Sequence, residues 1–468
     1  MLRPIRLLVL ALLAGPVLIW AQTSPELASI LQRLDRLEQQ NQELMAEVKA
    51  LRAELAQSKP ATATPATATP ATETVAVEAP STETPSASPL TPQERLDIQE
   101  HRIDEQAQTK VEASQKFPIR LTGMALFNAF TDSRQNGGVD YPLIAAPTGP
   151  ARAGATLRQT ILGLEFLGPQ TVWGGKVSGS AYMDFFTGST TRDQYLRLRT
   201  ASMQIDWKTR SVMAGLEKPI FNPREPSSLA QVGVSPLTGA GNLWLWLPQV
   251  RVEQDLTFGS RSGLRAQMGV VETREIGPYS ASNFTGSVEA ARPGLEGRYD
   301  FYRKIDDDRR IEIAPGFHAS TTHVDGFSVP SNLFSMDWFA NPWRRLEFTG
   351  AFFSGQNVAN LGTGGIRQGY LIYGQRARPI HSRGGWGQLT LHTTNRLDFH
   401  FFTGQEDDRN SELTAGSIGK NLLFGGNLYY RLAPNVIVSL ETTQVRTVYL
   451  GSGVLLNNHY DLALAYMF

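Results

Sequence analysis

The residues of this chain that could do chemistry are charged side chains set at every second position. Gln249, Arg251, Glu253 and Asp255 share one face of an extended segment, with Val250 and Val252 on the other. Glu296, Arg298 and Asp300 oppose Leu295, Tyr299 and Phe301. Arg345, Glu347 and Thr349 oppose Leu346 and Phe348. Arg396, Asp398 and His400 oppose Leu397, Phe399 and Phe401, and Asn427, Tyr429 and Arg431 oppose Leu428, Tyr430 and Leu432. A period of two sends the two sets to opposite faces of a sheet. Guanidinium groups so arrayed can bind carboxylate or phosphate through a planar fork. Along a water-filled passage they would raise the local concentration of anions. The acids on the same faces oppose that effect, and such ladders can also serve only to brace a wall.

Other chemistries find no support. The absence of cysteine excludes disulfides, thiolate metal sites and cysteine nucleophiles. The seven histidines show no ligand spacing, and His318, His392 and His400 are expected to point inward. No HExxH, Walker loop, GxSxG or dinucleotide fingerprint is present. The expectation is no enzyme, cofactor or metal. Glu406, Asp407 and Asp408 could hold a divalent ion at a rim, but a solvated loop accounts for them more simply. With a formal net charge of +0, no nucleic-acid partner is expected.

The elements that must position the ladders are strands. From Ile119 onward, segments of roughly 10 to 15 residues alternate polar and apolar side chains, and sixteen can be placed before the end. The last, in NNHYDLALAYMF (Asn457 to Phe468), puts Tyr460, Leu462, Leu464, Tyr466 and Phe468 on one face and Asp461, Ala463 and Ala465 on the other. Junctions after even strands are short; those after odd strands are mostly longer. Charged faces cannot meet hydrocarbon, and only closed barrels or helices span a membrane. No run after the N-terminus is long and apolar enough for a transmembrane helix. The fold class expected is therefore all-β: a 16-stranded antiparallel transmembrane β-barrel over residues 117–468. The fourth strand places Arg197 and Arg199 in phase with Ala201 and Met203, which calls for a bulge near Thr200. The segment Asn222 to Trp246 is too apolar for a hydrated loop. It is expected to fold inward as a constriction bearing Arg224 and Glu225, the alternatives being an external lid or an intersubunit clasp. Ile366 to Tyr373 is assigned to the long connection after the eleventh strand.

Upstream, residues 1–21 have the basic start, short apolar core and Ala21 of a secretory signal. Residues 22–58 form a heptad helix, capped at Ser24 and Pro25. Leu27, Leu34, Asn41, Val48 and Leu55 alternate along its seam with Ile30, Leu37, Leu44 and Leu51. Self-association is expected, against the alternative of one amphipathic helix packed on its own domain. Residues 59–92 are a Pro/Ala/Thr spacer with no core-forming pattern. Residues 93–116 are expected to form a short helix.

The final strand resembles the closing strand of outer-membrane barrels, which is read by the barrel-assembly machinery. The order of parts resembles the porins with an N-terminal periplasmic coiled coil, the group that includes dicarboxylate-uptake porins. The similar pieces are the seam Leu27 to Leu55, FPIRLTGMALFNAF at Phe117 to Phe130, and LWLWLPQVRVEQ at Leu243 to Gln254. The long spacer departs from that family's compact pattern. The resemblance implies a homotrimer in the cell outer membrane, with lipid and lipopolysaccharide around it and the helical region in the periplasm. It further implies passive diffusion of small, often anionic solutes. A different function would be an envelope tether, with the barrel as anchor and the coiled coil binding periplasmic partners.

Overall fold

The computed structural model describes residues 119–187, 195–278, 287–373 and 376–468. The expected signal, heptad helix, spacer and short helix all lie outside the described residues.

The described chain is a closed antiparallel barrel. Its strands are β1 (Ile119–Asp132), β2 (Arg152–Thr156, resuming as Ile161–Gln170), β3 (Lys176–Asp184) and β4 (Arg197–Asp206). Next come β5 (Arg210–Glu217), β6 (Leu247–Thr257), β7 (Ser262–Arg274) and β8 (Ala291–Lys304). These are followed by β9 (Arg310–Val324), β10 (Phe327–Trp343), β11 (Leu346–Gln356) and β12 (His381–His392). The last four are β13 (Leu397–Asp408), β14 (Ile418–Ala433), β15 (Val436–Tyr449) and β16 (Gly453–Met467). The two pieces of β2 both pair with β1, so the 17-stranded sheet is a barrel of 16 strands. It closes where β1 meets β16, from Met124 opposite Met467 to Asp132 opposite His459, with Phe468 and Gly123 exchanging backbone hydrogen bonds of 3.0 and 3.1 Å. Closure leaves no unpaired edge, the condition for a sheet in a bilayer.

Alternation sets the faces. Val250, Val252, Phe301, Phe334, Phe401, Leu440 and Leu464 are exposed on the outer wall, as are Tyr460, Leu462, Tyr466 and Phe468 of the closing segment. Asn128, Glu296, Arg298, Asp337, Asn427, Glu441 and Asp461 are buried inside. All seven junctions after even strands up to β14, together with both barrel termini, lie at one end; that end also carries exposed Trp173 and Trp343. The bulge required near Thr200 is present: Thr200 pairs with Tyr182 and Leu198 with Met183, leaving Arg199 without an opposite residue. That extra residue turns both Arg197 and Arg199 inward. Tyr370–Tyr373 pairs with Arg376–Pro379 in a small hairpin between β11 and β12, outside the barrel wall.

Residues 218–246, the connection from β5 to β6, enter the barrel. Phe221 and Leu243 pack with Val271, Leu333 and Phe353; Leu237 and Ala240 with Ala351, Trp386, Phe402 and Val445; Leu229 with Leu126, Ile437 and Ala463. Three apolar patches on the inner wall thus receive the apolar positions of the loop.

Candidate permeation site

The inward loop carries Pro223, Pro226 and Pro236, which suit neither strand nor helix. Its buried backbone groups must therefore find partners on the wall. Asn128 Nδ2 donates to Leu229 O at 2.8 Å and Gln159 Nε2 to Ala230 O at 2.8 Å. Gln159 Oε1 accepts from the N–H groups of Val232 and Gly233, each at 2.7 Å. Asn427 donates to Ser227 O and Asn421 to Gly239 O, both at 2.8 Å, while Ser228 Oγ donates to Glu441 at 2.7 Å. Many inward polar residues are thus occupied in holding the loop. At its tip the backbone lies against the wall itself. A Cβ on Gly404 would sit 2.2 Å from Ala240 O, and one on Gly241, whose φ is +96°, 2.4 Å from Gly385 N.

Beside the loop runs the charged wall. Arg224 reaches from the loop to Asp337 Oδ1 at 2.6 Å and also pairs with Glu312. Asp337 accepts two further bonds from Arg298, at 2.7 and 2.8 Å, and Glu312 one from Arg310 at 2.6 Å. Arg298 approaches Asp300 at 3.3 Å, and Arg265 contacts Glu253 at 3.2 Å. Glu225 pairs with Lys218 at 3.0 Å, Asp255 accepts from Tyr302 at 3.1 Å, and Gln249 donates to Lys218 O at 2.8 Å. Glu296 bonds His318 Nδ1 at 2.9 Å and accepts the Ile220 N–H at 2.7 Å. Arg251 is half-buried and forms no ion pair within 4.0 Å among the described residues. Near the short-turn end, Asp398 joins Arg431 at 2.7 Å and His392 at 2.9 Å; His400 bonds Asn427 at 2.7 Å. Glu347 lies half-buried on the inner face.

Two expected ladder members are placed differently. Arg345 sits in the β10–β11 turn and Arg396 in the β12–β13 turn, both exposed. The alternation that assigned them to the inner face continues in sequence past the point where the strands end.

Four arginines that alternation did not identify face inward at the opposite side. Arg152 and Arg158 share Asp140, at 2.9 and 2.8 Å. Arg197 and Arg199 share Asp184, at 2.7 and 2.6 Å, and also donate to the loop carbonyls of Gly233 and Val232. Each cluster has two guanidinium groups on one carboxylate. Arg158 also stacks over Phe186 at 4.1 Å. A cavity of about 780 Å³ opens here, lined by Tyr141, Arg152, Arg158, Gln159, Phe186 and Gln231 among others. In the β1–β2 connection, burial, with the Glu441 carboxylate beside it, pushes the Tyr141 phenol well above its ordinary value of 10.0. It therefore stays a donor, bonding Glu441 at 3.2 Å. The sequence signal for this corner was the short segment RAGATLRQ at the interruption of β2, where Arg152 and Arg158 flank residues of mostly small volume.

No protein-family model matches the chain, and comparison with curated proteins found no match. Solved structures do match. The outer membrane channel DcaP of Acinetobacter baumannii aligns with a TM-score of 0.63 at 15% identity, over 75% of this chain and 97% of that one. An anion-selective porin from Comamonas acidovorans aligns with a TM-score of 0.51 at 11% identity, over 75% of this chain and 99% of that one. The barrel of this chain has the fold of the outer-membrane porins.

Proposed function

We propose that the chain is an outer-membrane porin for passive diffusion of small hydrophilic solutes, with a weak preference for anions. The observation that carries this reading is the inward loop set among charged side chains. One side of the passage holds acids and arginines in near balance. The other holds the Arg152/Arg158 and Arg197/Arg199 pairs, each on a single aspartate. Asp132, opposite Arg152 in the β1–β2 register, and Glu441, bonded to Tyr141, offset part of that charge, so the preference rests on the guanidinium forks, which suit anions, and is weak. The Comamonas neighbour is itself described as anion-selective, which agrees with the reading. A plain anchor would not need charged residues on so many inner faces. We further assign the barrel to a homotrimer, its heptad region in the periplasm; the seam from Leu27 to Leu55 supports this.

Purified protein in planar bilayers tests the function. Ion-conducting steps, grouped in threes, are expected, with a reversal potential under a potassium chloride gradient that favours chloride. Fully inserted protein that passes no current would favour the envelope tether. A clear cation preference would remove the anion assignment and leave the porin.

A further inference from the structure

Two glutamines face the cavity between the β1–β2 connection and the inward loop. Gln159 is fully used. Its Oε1 accepts from Val232 and Gly233, and its Nε2 donates to Ala230 O and, at 3.0 Å, to Asn128 Oδ1. Gln231 is the opposite case. It is 2% exposed, yet neither its Oε1 nor its Nε2 has a hydrogen-bond partner. Its backbone is pinned, because Gln159 holds the residues on both sides and the Gln231 N–H donates to Ser228 Oγ at 3.0 Å. Arg158 lines the same cavity and is also buried. One of its terminal nitrogens meets Asp140 at 2.8 Å, while its Nε has no hydrogen-bond partner.

An amide carries an acceptor and two donors, and leaving them buried and unmet is costly. The cavity, about 780 Å³, is far larger than one water needs and falls within the roughly 300–1,000 Å³ of small-molecule sites. Leu143 and Ile144 give it an apolar side. A solute that meets all three features has a carboxylate for the Arg158 fork, a short apolar body, and a group that presents C=O and N–H side by side. A primary amide does so, and pairs with the end of a glutamine side chain through two hydrogen bonds. We propose that this cavity binds small carboxylates bearing a primary amide, the amide pairing with Gln231 and the carboxylate with Arg158. The assignment rests on the anion-preferring porin reading and narrows its solute class. The rival occupant is water alone.

The full chain in detergent is titrated with 4-carbamoylbutanoate by ligand-observed NMR. Two isosteres each lack one part: 5-methylhexanoate has no amide, and 5-methylhexanamide has no carboxylate. One saturable site per chain is expected, with either isostere bound at least tenfold more weakly. Gln231→Leu should reduce 4-carbamoylbutanoate to the affinity of 5-methylhexanoate, whose own binding should not weaken. Equal affinity of the wild type for 4-carbamoylbutanoate and either isostere overturns the proposal, and this comparison decides the matter if Gln231→Leu does not fold. A preference for the amide that survives Gln231→Leu overturns it too. So does the absence of saturable binding, the result that water alone predicts. Binding in detergent is independent of conductance in bilayers. A chloride-preferring channel without this site removes the solute class and leaves the porin, whereas saturable binding to a chain that passes no current leaves the site and removes the porin.

Discussion

Gly404→Ala is the sharpest probe of how the inward loop is seated. The new Cβ would lie 2.2 Å from Ala240 O, against 3.4–4 Å for ordinary contact, so something must move by about 1 Å. The wall cannot easily yield, because Gly404 is laddered to Trp386 of β12 and to Leu423 of β14. The loop tip therefore gives way. Overpacking of this kind costs about 1–3 kcal/mol. The tip is held by the Asn421 bond to Gly239 O, the Gly241 bond to Glu406 and the packing of Leu237 and Ala240. At about 1 kcal/mol per hydrogen bond, the strain rivals the two bonds together, and lifting the tip relieves it. The barrel should still fold, while single-channel recordings should show a broader spread of step sizes and rapid flicker. Gly387→Ala is the control: its Cβ would meet nothing closer than Thr349 O at 3.9 Å. If Gly404→Ala matches both wild type and Gly387→Ala in step distribution and unfolding temperature, the seating described here is wrong.

Three further outcomes are expected. Arg251→Gln and Arg224→Gln should each move the reversal potential towards cations. A unit charge about 8 Å from a permeating ion, at a dielectric constant between 40 and 80, is worth about 0.5–1 kcal/mol, or roughly twofold to fivefold in anion occupancy. In the outer connection after β13, burial acts to raise the Glu412 carboxyl, but the His381 N–H at 2.7 Å, its imidazole and Arg409 outweigh burial and hold it below its ordinary 4.5. A depressed carboxylate stabilises above its unfolded pKa and loses that contribution as pH falls through the folded one. The protection of amides around residues 409–413, taken relative to their intrinsic exchange rates, should accordingly be high at neutral pH and fall below 4.5. Finally, a peptide from Ser24 to Gln57 should be helical and self-associated in sedimentation equilibrium; a monomeric, unfolded peptide would remove the seam as an autonomous oligomeriser.

Much of the wall was legible because alternation is enforced twice, by lipid outside and by water, charge or loop inside. A one-residue slip would place Arg298 and Asp300 in hydrocarbon, so only one register is tolerable there. The inward path of the loop could be read from its apolar residues, which needed a wall to cover them. What was missed lies where the period breaks. Arg197 and Arg199 were expected to need the bulge that separates them from Ala201, but alternation alone did not show that they meet on one aspartate in an inner corner. Arg152 and Arg158 flank the interruption of β2 and belong to no continuous run. Arg345 and Arg396 fit the alternation but fall beyond the strand ends, where no pleat orients them. At β13 the error ran the other way: acidic composition suggested a loop from Gln405, yet pairing continues to Asp408.

The partners of the inward loop also constrain the order of events during folding. Leu229 waits on Asn128, 101 positions earlier, whereas Ser227 and Ser228 wait on Asn427 and Glu441, 200 and 213 positions later. The later partners belong to the last strands to be made. Contacts so distant in sequence form late, because loop-closure entropy must be met first. A chain caught with β14 to β16 still unpaired has a nearly complete wall but nothing to anchor the far half of its loop. Seating of the loop therefore reports completion of the sheet, and the passage acquires its final width only when the circle of strands is whole.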